Sequence, residues 1–219
     1  MSEVAQHLAE IRKSLPDHVT LLAVSKRQPL EKLHEAYAAG QRDFGENKVQ
    51  ELMEKVDQLP ADIRWHLIGH LQTNKVKYIA PFVHLIHSVD SLKLLQEIEK
   101  RAAQNNRTIP VLLQMHIAEE ESKFGLNAEE LTELAEAALS GHFPHIELQG
   151  LMGMATFTED AAQVRKEFGV LKGYFDHWKT HFPSFNTLSM GMSGDLEIAI
   201  EQGSTLVRVG TAIFGERNY

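Results

Sequence analysis

Apolar positions along the chain follow two alternating rhythms. Short runs rich in β-branched and aromatic residues occupy 21–25, 43–45, 65–68, 84–88, 110–117, 147–152, 187–190 and 206–210. Between them, apolar residues return every three or four positions. The short runs predict strands and the 3.6-residue spacing predicts helices. The helices fall over 30–39, 47–58, 74–79, 91–104, 127–139, 161–178 and 194–201, with an extra one at 3–15 before the first strand. Segment 91–104 has the pattern in full, with Leu92, Leu95, Ile98 and Ala102 on one face. End signals agree with it. Gly40 sits where a C′ glycine belongs, Pro60 and Pro81 close the next two helices, and Asn127-Ala128-Glu129-Glu130 has the form of a capping box.

Strict β-α alternation implies parallel strands with helices outside. Eight such units favour a single (β/α)8 TIM barrel with an extra N-terminal helix, forming one domain over 1–219. An open doubly wound sheet stays possible because the second strand is very short. In either architecture the active face lies at the C-terminal strand ends. Lys26, Asn47, His70, Ser88, Lys123, Met154, Ser193 and Thr211 all fall just after predicted strand ends, so they are expected to meet around one site.

Composition narrows the function classes. The chain has 219 residues, 43% hydrophobic and 24% charged, an ordinary soluble globular balance. It contains no cysteine, which excludes disulfides, thiolate metal sites and cysteine nucleophiles and fits a reducing compartment. Residues 1–15 carry charges throughout and lack the apolar centre of a signal peptide. No run approaches the roughly 18 apolar residues that span a bilayer. The cytoplasm is the expected setting, without membrane attachment. A formal net charge of −8 disfavours nucleic acid as a partner. There is no Walker loop, no dinucleotide fingerprint in a βαβ context and no nucleophile elbow.

The chemistry concentrates at the two ends of the chain. Lys26 terminates the apolar run Val19-Thr20-Leu21-Leu22-Ala23-Val24-Ser25. Partial desolvation there disfavours the ammonium and leaves an amine able to attack carbonyls and form a Schiff base. The alternative is a lysine that snorkels to water. Gly191, Ser193 and Gly194 lie between the seventh strand and a short helix, and Gly210 and Thr211 follow the eighth strand. Those are the positions at which barrels of this kind hold a phosphate, although the glycines also suit plain tight turns. A Schiff-base lysine with a phosphate cradle points to pyridoxal 5′-phosphate (PLP). Arg208 alternates with Val207 and Val209 and so faces the barrel interior, where a guanidinium needs a partner. That partner is either an acceptor nitrogen on a cofactor ring or an Asp or Glu on a neighbouring strand.

Other groups read less sharply. His66 and His70 invite a metal, but their segment is strand then loop and no nearby carboxylate is expected to complete a set. His84 and His87 cannot share a strand face and are expected to be packing or surface residues. Glu119-Glu120-Glu121 reads as a solvated loop. Asn47 is either an N-cap or a side chain presented to the site.

Taken together, LLAVSKRQP (21–29), DFGENKVQEL (43–52), WHLIGHLQTNK (65–75), HSVDS (87–91), ESKFGL (121–126), GLMGMATF (150–157), LSMGMSGDLEIAI (188–200) and GSTLVRVGTAIFG (203–215) resemble the pyridoxal phosphate homeostasis proteins, also called the proline-synthase co-transcribed family. The segments span almost the whole chain in the family's order. The resemblance implies a PLP-binding barrel similar to the N-terminal domain of alanine racemase, with the cofactor on Lys26 as an internal aldimine. It implies that Ser193, Gly210 and Thr211 hold the phosphate, with Gly191 and Met192 beside it, and that Arg208 faces the pyridine nitrogen. Asn47, His66, Ile68, Ser88 and Met154 would line the pocket. Many relatives carry Thr-Lys-Pro after the lysine where this chain has Arg27-Gln28-Pro29, a departure at the rim.

The implied role is a carrier and regulator in vitamin B6 homeostasis, passing PLP to apo-enzymes as a monomer or weak homodimer. Catalysis is expected to be weak or absent. A guanidinium opposite the ring nitrogen cannot accept its proton. Racemases add a tyrosine from a second domain, whereas this sequence stops at Tyr219 just after the eighth unit. The rival readings are a racemase-type enzyme and a Schiff-base aldolase without PLP.

Overall fold

All eight predicted strands form and pair in parallel, in sequence order, in a closed barrel. The computed structural model describes residues 2–119 and 124–215. The strands are β1 (Thr20–Val24), β2 (Asp43–Glu46), β3 (Arg64–Leu67), β4 (Leu85–Val89), β5 (Ile109–Gln114), β6 (Ile146–Met152), β7 (Thr187–Ser189) and β8 (Leu206–Val209). Closure is explicit in the register between β8 and β1, with Thr20, Leu21, Leu22 and Ala23 opposite Leu206, Val207, Arg208 and Val209. That pairing excludes the open doubly wound sheet. The helices are α1 (Glu3–Ser14), α2 (Leu30–Ala38), α3 (Val49–Val56), α4 (Val76–Ile79), α5 (Leu92–Gln104), α6 (Ala128–Leu139), α7 (Ala161–Lys179), α8 (Leu196–Glu201) and α9 (Thr211–Phe214). Among the described residues no helix is long and apolar enough to cross a membrane.

The strands read as near-continuous apolar runs because both faces are buried. Outward residues such as Leu21, Ala23, Phe44, Trp65, Leu67, Leu113, Leu151, Val207 and Val209 join the large core between barrel and helices. The alternate positions Leu85, Leu112 and Met152 form a separate small cluster within the barrel, against which Met154 packs. The remaining inward positions are largely polar: His66, His87, Gln114, Ser189 and Arg208 are all buried. Helix ends follow the sequence signals. Asn127 accepts from the Glu130 N–H at 2.9 Å while the Glu130 carboxylate accepts from the Asn127 N–H at 2.9 Å, a complete capping box.

Several predicted boundaries move by one to three residues. The run 110–117 stops being a strand at Gln114: Met115 still donates its N–H to the Met152 carbonyl at 2.8 Å, but its bridge partner is Leu126 and the chain beyond it departs from β6. The helix predicted from 47 starts at Val49, and the one predicted from 74 follows a 3-10 turn over Thr73–Lys75. Helix α9 has four residues, too few to show a period.

Gly150 is where the fold leaves no choice of residue. Its φ is +152°, and a Cβ there would lie 1.8 Å from the carbonyl oxygen of Thr187, its partner across the β6–β7 seam. Gly150→Ala is therefore expected to cost at least about 2 kcal/mol, from strain and a forced opening of that seam. Urea unfolding measures it, and a variant as stable as the wild type would contradict this account of the seam.

Candidate functional site at the C-terminal end of the barrel

Lys26 leaves β1 two residues beyond its end, half-buried at the barrel mouth. The backbone around it is clamped from outside the barrel. Lys55 of α3 is buried, and its Nζ donates to the Ser25 carbonyl (2.8 Å), to Glu46 Oε1 (2.8 Å) and to Glu51 Oε1 (2.7 Å). Ser25 Oγ also donates to Glu46 Oε1, at 2.6 Å. The Arg27 N–H donates to Glu51 Oε1, and Arg27 itself takes a left-handed φ of 58°. Both neighbours of Lys26 are thus held by one ionic cluster. The clamp absorbs the strain of a non-glycine residue at positive φ, a cost typical of functional sites. Burial pushes the Glu46 carboxyl up to about 7, with Lys55 and Ser25 offsetting only part of the effect. Among the described residues Glu46 Oε2 has no partner.

The glycine-rich segments meet on the same rim. After β7 the chain turns at Gly191 (φ +97°), where a Cβ would lie 2.5 Å from that of Ala199. Asp195 Oδ1 accepts from the Met192 N–H at 2.6 Å, and the Asp195 N–H returns to the Met192 carbonyl at 3.1 Å. This turn leaves Ser193 and Gly194 exposed, with N–H groups that have no partner among the described residues. Gly210 ends β8 so close to β1 that a Cβ would lie 3.1 Å from the Val24 carbonyl oxygen. Thr211, exposed at the start of α9, is thereby brought beside the strand that carries Lys26. Hydroxyls and unsatisfied N–H groups on this rim suit a phosphate.

Arg208 points into the barrel and is 5% exposed. Its Nη1 donates to the Ser189 carbonyl (2.9 Å) and to Ser189 Oγ (2.6 Å), and Nη2 donates to the Gly153 carbonyl at 3.2 Å. Burial lowers its pKa to about 10, so it stays charged at neutral pH. Every hydrogen-bond acceptor it has among the described residues is uncharged. Of the two partners open to it in the sequence, no strand Asp or Glu is hydrogen-bonded to it among the described residues.

Several expectations change. His66 was expected on the pocket wall. It is 2% exposed, and both ring nitrogens are engaged, Nδ1 with His87 Nε2 (2.9 Å) and Nε2 with Asp43 Oδ1 (3.1 Å), leaving neither for a ligand. Carboxylates do lie beside the histidines: Asp43 reaches His66, and Asp90 reaches His70 at 3.1 Å. His84 precedes β4 and His87 lies within it, yet both rings meet His66, at 5.3 and 5.2 Å between centroids. Asp43, His66 and His84 bring donor atoms within 4.8 Å of one another, as a metal site would. Arg64 already fills the cation's place there with two hydrogen bonds to Asp43, at 2.7 and 2.5 Å. Asn47 is not an N-cap, because Lys48 takes that position without a side-chain bond. Asn47 instead bends against Gly69, where a Cβ would lie 2.3 Å from its carbonyl oxygen.

Ser88 lies within β4, where the register shifts between Ile86 and Val89, and not after it. Its buried Oγ has no partner among the described residues, which leaves a hydroxyl for a ligand. Ile68 and Met154 are half-buried just past β3 and β6, and Met192 is 39% exposed on the rim. His70 stacks on Phe124 with centroids 4.5 Å apart, an exposed rim pair the sequence did not reveal. Lys123 and the acidic positions 120 and 121 lie outside the described residues. The supports Asp43, Glu46, Lys55 and Ser189 were also missed. They are polar residues spaced like their apolar neighbours, and their signal is burial alone.

Fold and site together define a (β/α)8 barrel with a strand-end lysine and a phosphate-type rim after β7 and β8. Comparison with known proteins makes this specific. The alanine racemase N-terminal domain family matches residues 1–218. The pyridoxal phosphate homeostasis protein of Aquifex aeolicus is 44% identical over 201 residues, covering 91% of this chain and 87% of its own. That of Escherichia coli K12 is 37% identical over 233 residues, covering 100% of this chain and 99% of its own. PipY of Synechococcus elongatus, solved with PLP bound, superposes with a TM-score of 0.87 at 36% identity, covering 97% of this chain and 100% of that one. Alanine racemase of Bartonella henselae shares the fold at a TM-score of 0.76 and 18% identity, with this chain spanning 59% of it. The chain belongs to the alanine racemase N-terminal domain family and, within it, to the pyridoxal phosphate homeostasis proteins.

The buried carboxyl behind Lys26 gives the protein a pH signature. A carboxyl raised from 4.5 to about 7 in the folded state keeps its proton longer than in the unfolded chain. Its contribution is complete below about pH 4.5 and is lost as pH rises to about 7. Against Glu46→Gln, the wild type is expected to lose up to about 3 kcal/mol of relative stability between pH 4.5 and 7.5. Urea midpoints across that range test it, and a pH-independent difference would contradict the raised pKa.

Proposed function

We propose that this protein binds PLP covalently but reversibly through Lys26 and serves in cytoplasmic PLP homeostasis, with little or no turnover of its own. One observation carries the reading. A half-buried lysine and a rim of free N–H groups flank a buried guanidinium with no hydrogen-bonded carboxylate among the described residues. Those three features match the three functional groups of PLP: an aldehyde, a phosphate and a ring nitrogen that accepts hydrogen bonds. Support comes from PipY, which binds PLP, and from relatives named for PLP homeostasis.

In this reading Ser193, Gly210 and Thr211 bind the phosphate, with Gly191 and Met192 beside it. Asn47, Ile68, Ser88 and Met154 line the cavity, and His66 supports it from within. Bound PLP supplies an aldehyde that forms reversible C=N bonds and a ring that draws electrons from them. Lys26 would hold the cofactor through its amine, in a linkage that water can reverse. The Glu46–Lys55–Glu51 cluster fixes the backbone from which the lysine projects.

Arg208 determines how much chemistry follows. It donates only and stays charged, so it holds the ring nitrogen unprotonated. An unprotonated ring withdraws electrons weakly, which suits holding the cofactor and disfavours carbanion chemistry. His66 offers a racemase no buried acid–base group, because both its nitrogens are engaged. Recipients are apo-enzymes that require PLP.

Visible absorption of the wild type against Lys26→Ala tests the reading. The wild type with PLP is expected to show a band that borohydride bleaches, and the variant is expected to lack it. Solvent deuterium should exchange into L-alanine no faster than with free PLP. A wild type that stays colourless with PLP would overturn the reading. Rapid exchange would replace the carrier with a racemase.

A further inference from the structure

A line of hydrogen bonds crosses the barrel interior from its N-terminal end to Arg208. Arg64 holds Asp43, Asp43 Oδ1 meets His66 Nε2 at 3.1 Å, and His66 Nδ1 meets His87 Nε2 at 2.9 Å. His87 Nδ1 then meets Ser189 Oγ at 3.0 Å, and Ser189 Oγ meets Arg208 Nη1 at 2.6 Å. The residues come from β2, β3, β4, β7 and β8. His66, His87, Ser189 and Arg208 are at most 5% exposed.

The two ends dictate the direction of every bond between them. A guanidinium has no acceptor, so Arg208 donates to Ser189 Oγ. That leaves the Ser189 proton for His87 Nδ1, so His87 carries its own proton on Nε2 and donates it to His66 Nδ1. His66 is then protonated on Nε2 and donates to Asp43, an ionised carboxylate that only accepts. Titration directions agree. Burial lowers both histidines, most strongly His87, and keeps them neutral. For Asp43, burial acts upward, but the hydrogen bonds and charges of Arg64 and His66 hold the carboxyl well below its usual range. The opposite direction would aim the His66 Nε2 lone pair at a carboxylate and direct both Arg208 and His87 donors at Ser189 Oγ. Among the described residues, the other charged or titratable groups facing the line are Arg64 and His84 at one end and Asp195 near Arg208.

We propose that Asp43, His66, His87 and Ser189 are positioning residues for Arg208, acting as one polarised chain in which the Asp43 charge fixes both histidine tautomers and orients the Ser189 oxygen toward the guanidinium. The N-terminal end of the barrel is thereby coupled to the group that faces the cofactor ring. This coupling rests on the placement of PLP proposed above, whereas the tautomer assignment does not.

Nitrogen-15 NMR of the histidine side chains in cofactor-free protein tests the direction. His66 and His87 should both be neutral and protonated on Nε2 at pH 7. Either ring as the Nδ1–H tautomer, or as imidazolium, overturns the proposal. The PLP-loaded protein tests the coupling. Ser189→Ala keeps the backbone carbonyl contact to Arg208 and removes one hydrogen bond. It should move the pH midpoint of the visible band by about half to one pH unit. Asp43→Asn, whose side chain touches neither Ser189 nor Arg208, should move it the same way. The double variant should move it no further than the larger single one. Unchanged midpoints or additive shifts overturn the coupling. Should Asp43→Asn not fold, the wild-type tautomers and the Ser189→Ala shift still decide. A wild type with no visible band defeats the PLP reading and leaves the tautomer result standing.

Discussion

A permanent positive charge sits inside a closed barrel with no carboxylate at hydrogen-bond distance among the described residues. That single constraint, Arg208, organises what surrounds it. Closure of the barrel removes water, so the guanidinium depends on oriented neutral acceptors, the Ser189 and Gly153 carbonyls and Ser189 Oγ. Those acceptors are themselves fixed, Gly153 just past β6 and Ser189 at the end of β7. A buried cation satisfied only by neutral groups retains attraction for an electron-rich ligand atom, and the open end of the barrel is where such a ligand enters.

Two ionic systems flank this centre, on opposite sides of the barrel wall. Outside, Glu46, Lys55 and Glu51 brace the residues on either side of Lys26. Inside, Asp43, His66, His87 and Ser189 brace Arg208. Both systems use strand residues of alternating direction: in β2, Asp43 faces in and Glu46 faces out. The backbone on either side of Lys26 and the guanidinium of Arg208 are thus each held by buried polar contacts, not by packing alone. Such an arrangement preorganises a ligand site at a cost in stability, since a buried charge tolerates poorly the loss of its partner.

The sequence made the architecture legible because short apolar runs and stretches of 3.6-residue spacing alternate without interruption. Lys26 stood out because it ends an apolar run, and the rim stood out because Gly191, Gly194 and Gly210 break the last two units. What stayed hidden depends on register or depth. Asp43 and His66 are 23 residues apart, and only the pairing of Asp43 with Arg64 and of Gly45 with His66 brings them together. Glu46, just past the predicted second strand, reads as an ordinary polar residue until Lys55 of α3 covers it. Ser88 was assigned to a strand end because the register shift in β4 leaves no mark in composition. The predicted run 110–117 outlasts its strand because Met115 and Ile117 remain apolar after the chain has turned toward Leu126.

The central claim is that Arg208 keeps the cofactor's ring nitrogen unprotonated, making the protein a holder of PLP and not a catalyst. Nitrogen-15 NMR of the protein loaded with ring-labelled PLP tests this most directly. A neutral-pyridine chemical shift at pH 7 is the predicted result. A pyridinium shift would mean that a proton sits between the ring and Arg208, and the account of this site would be wrong.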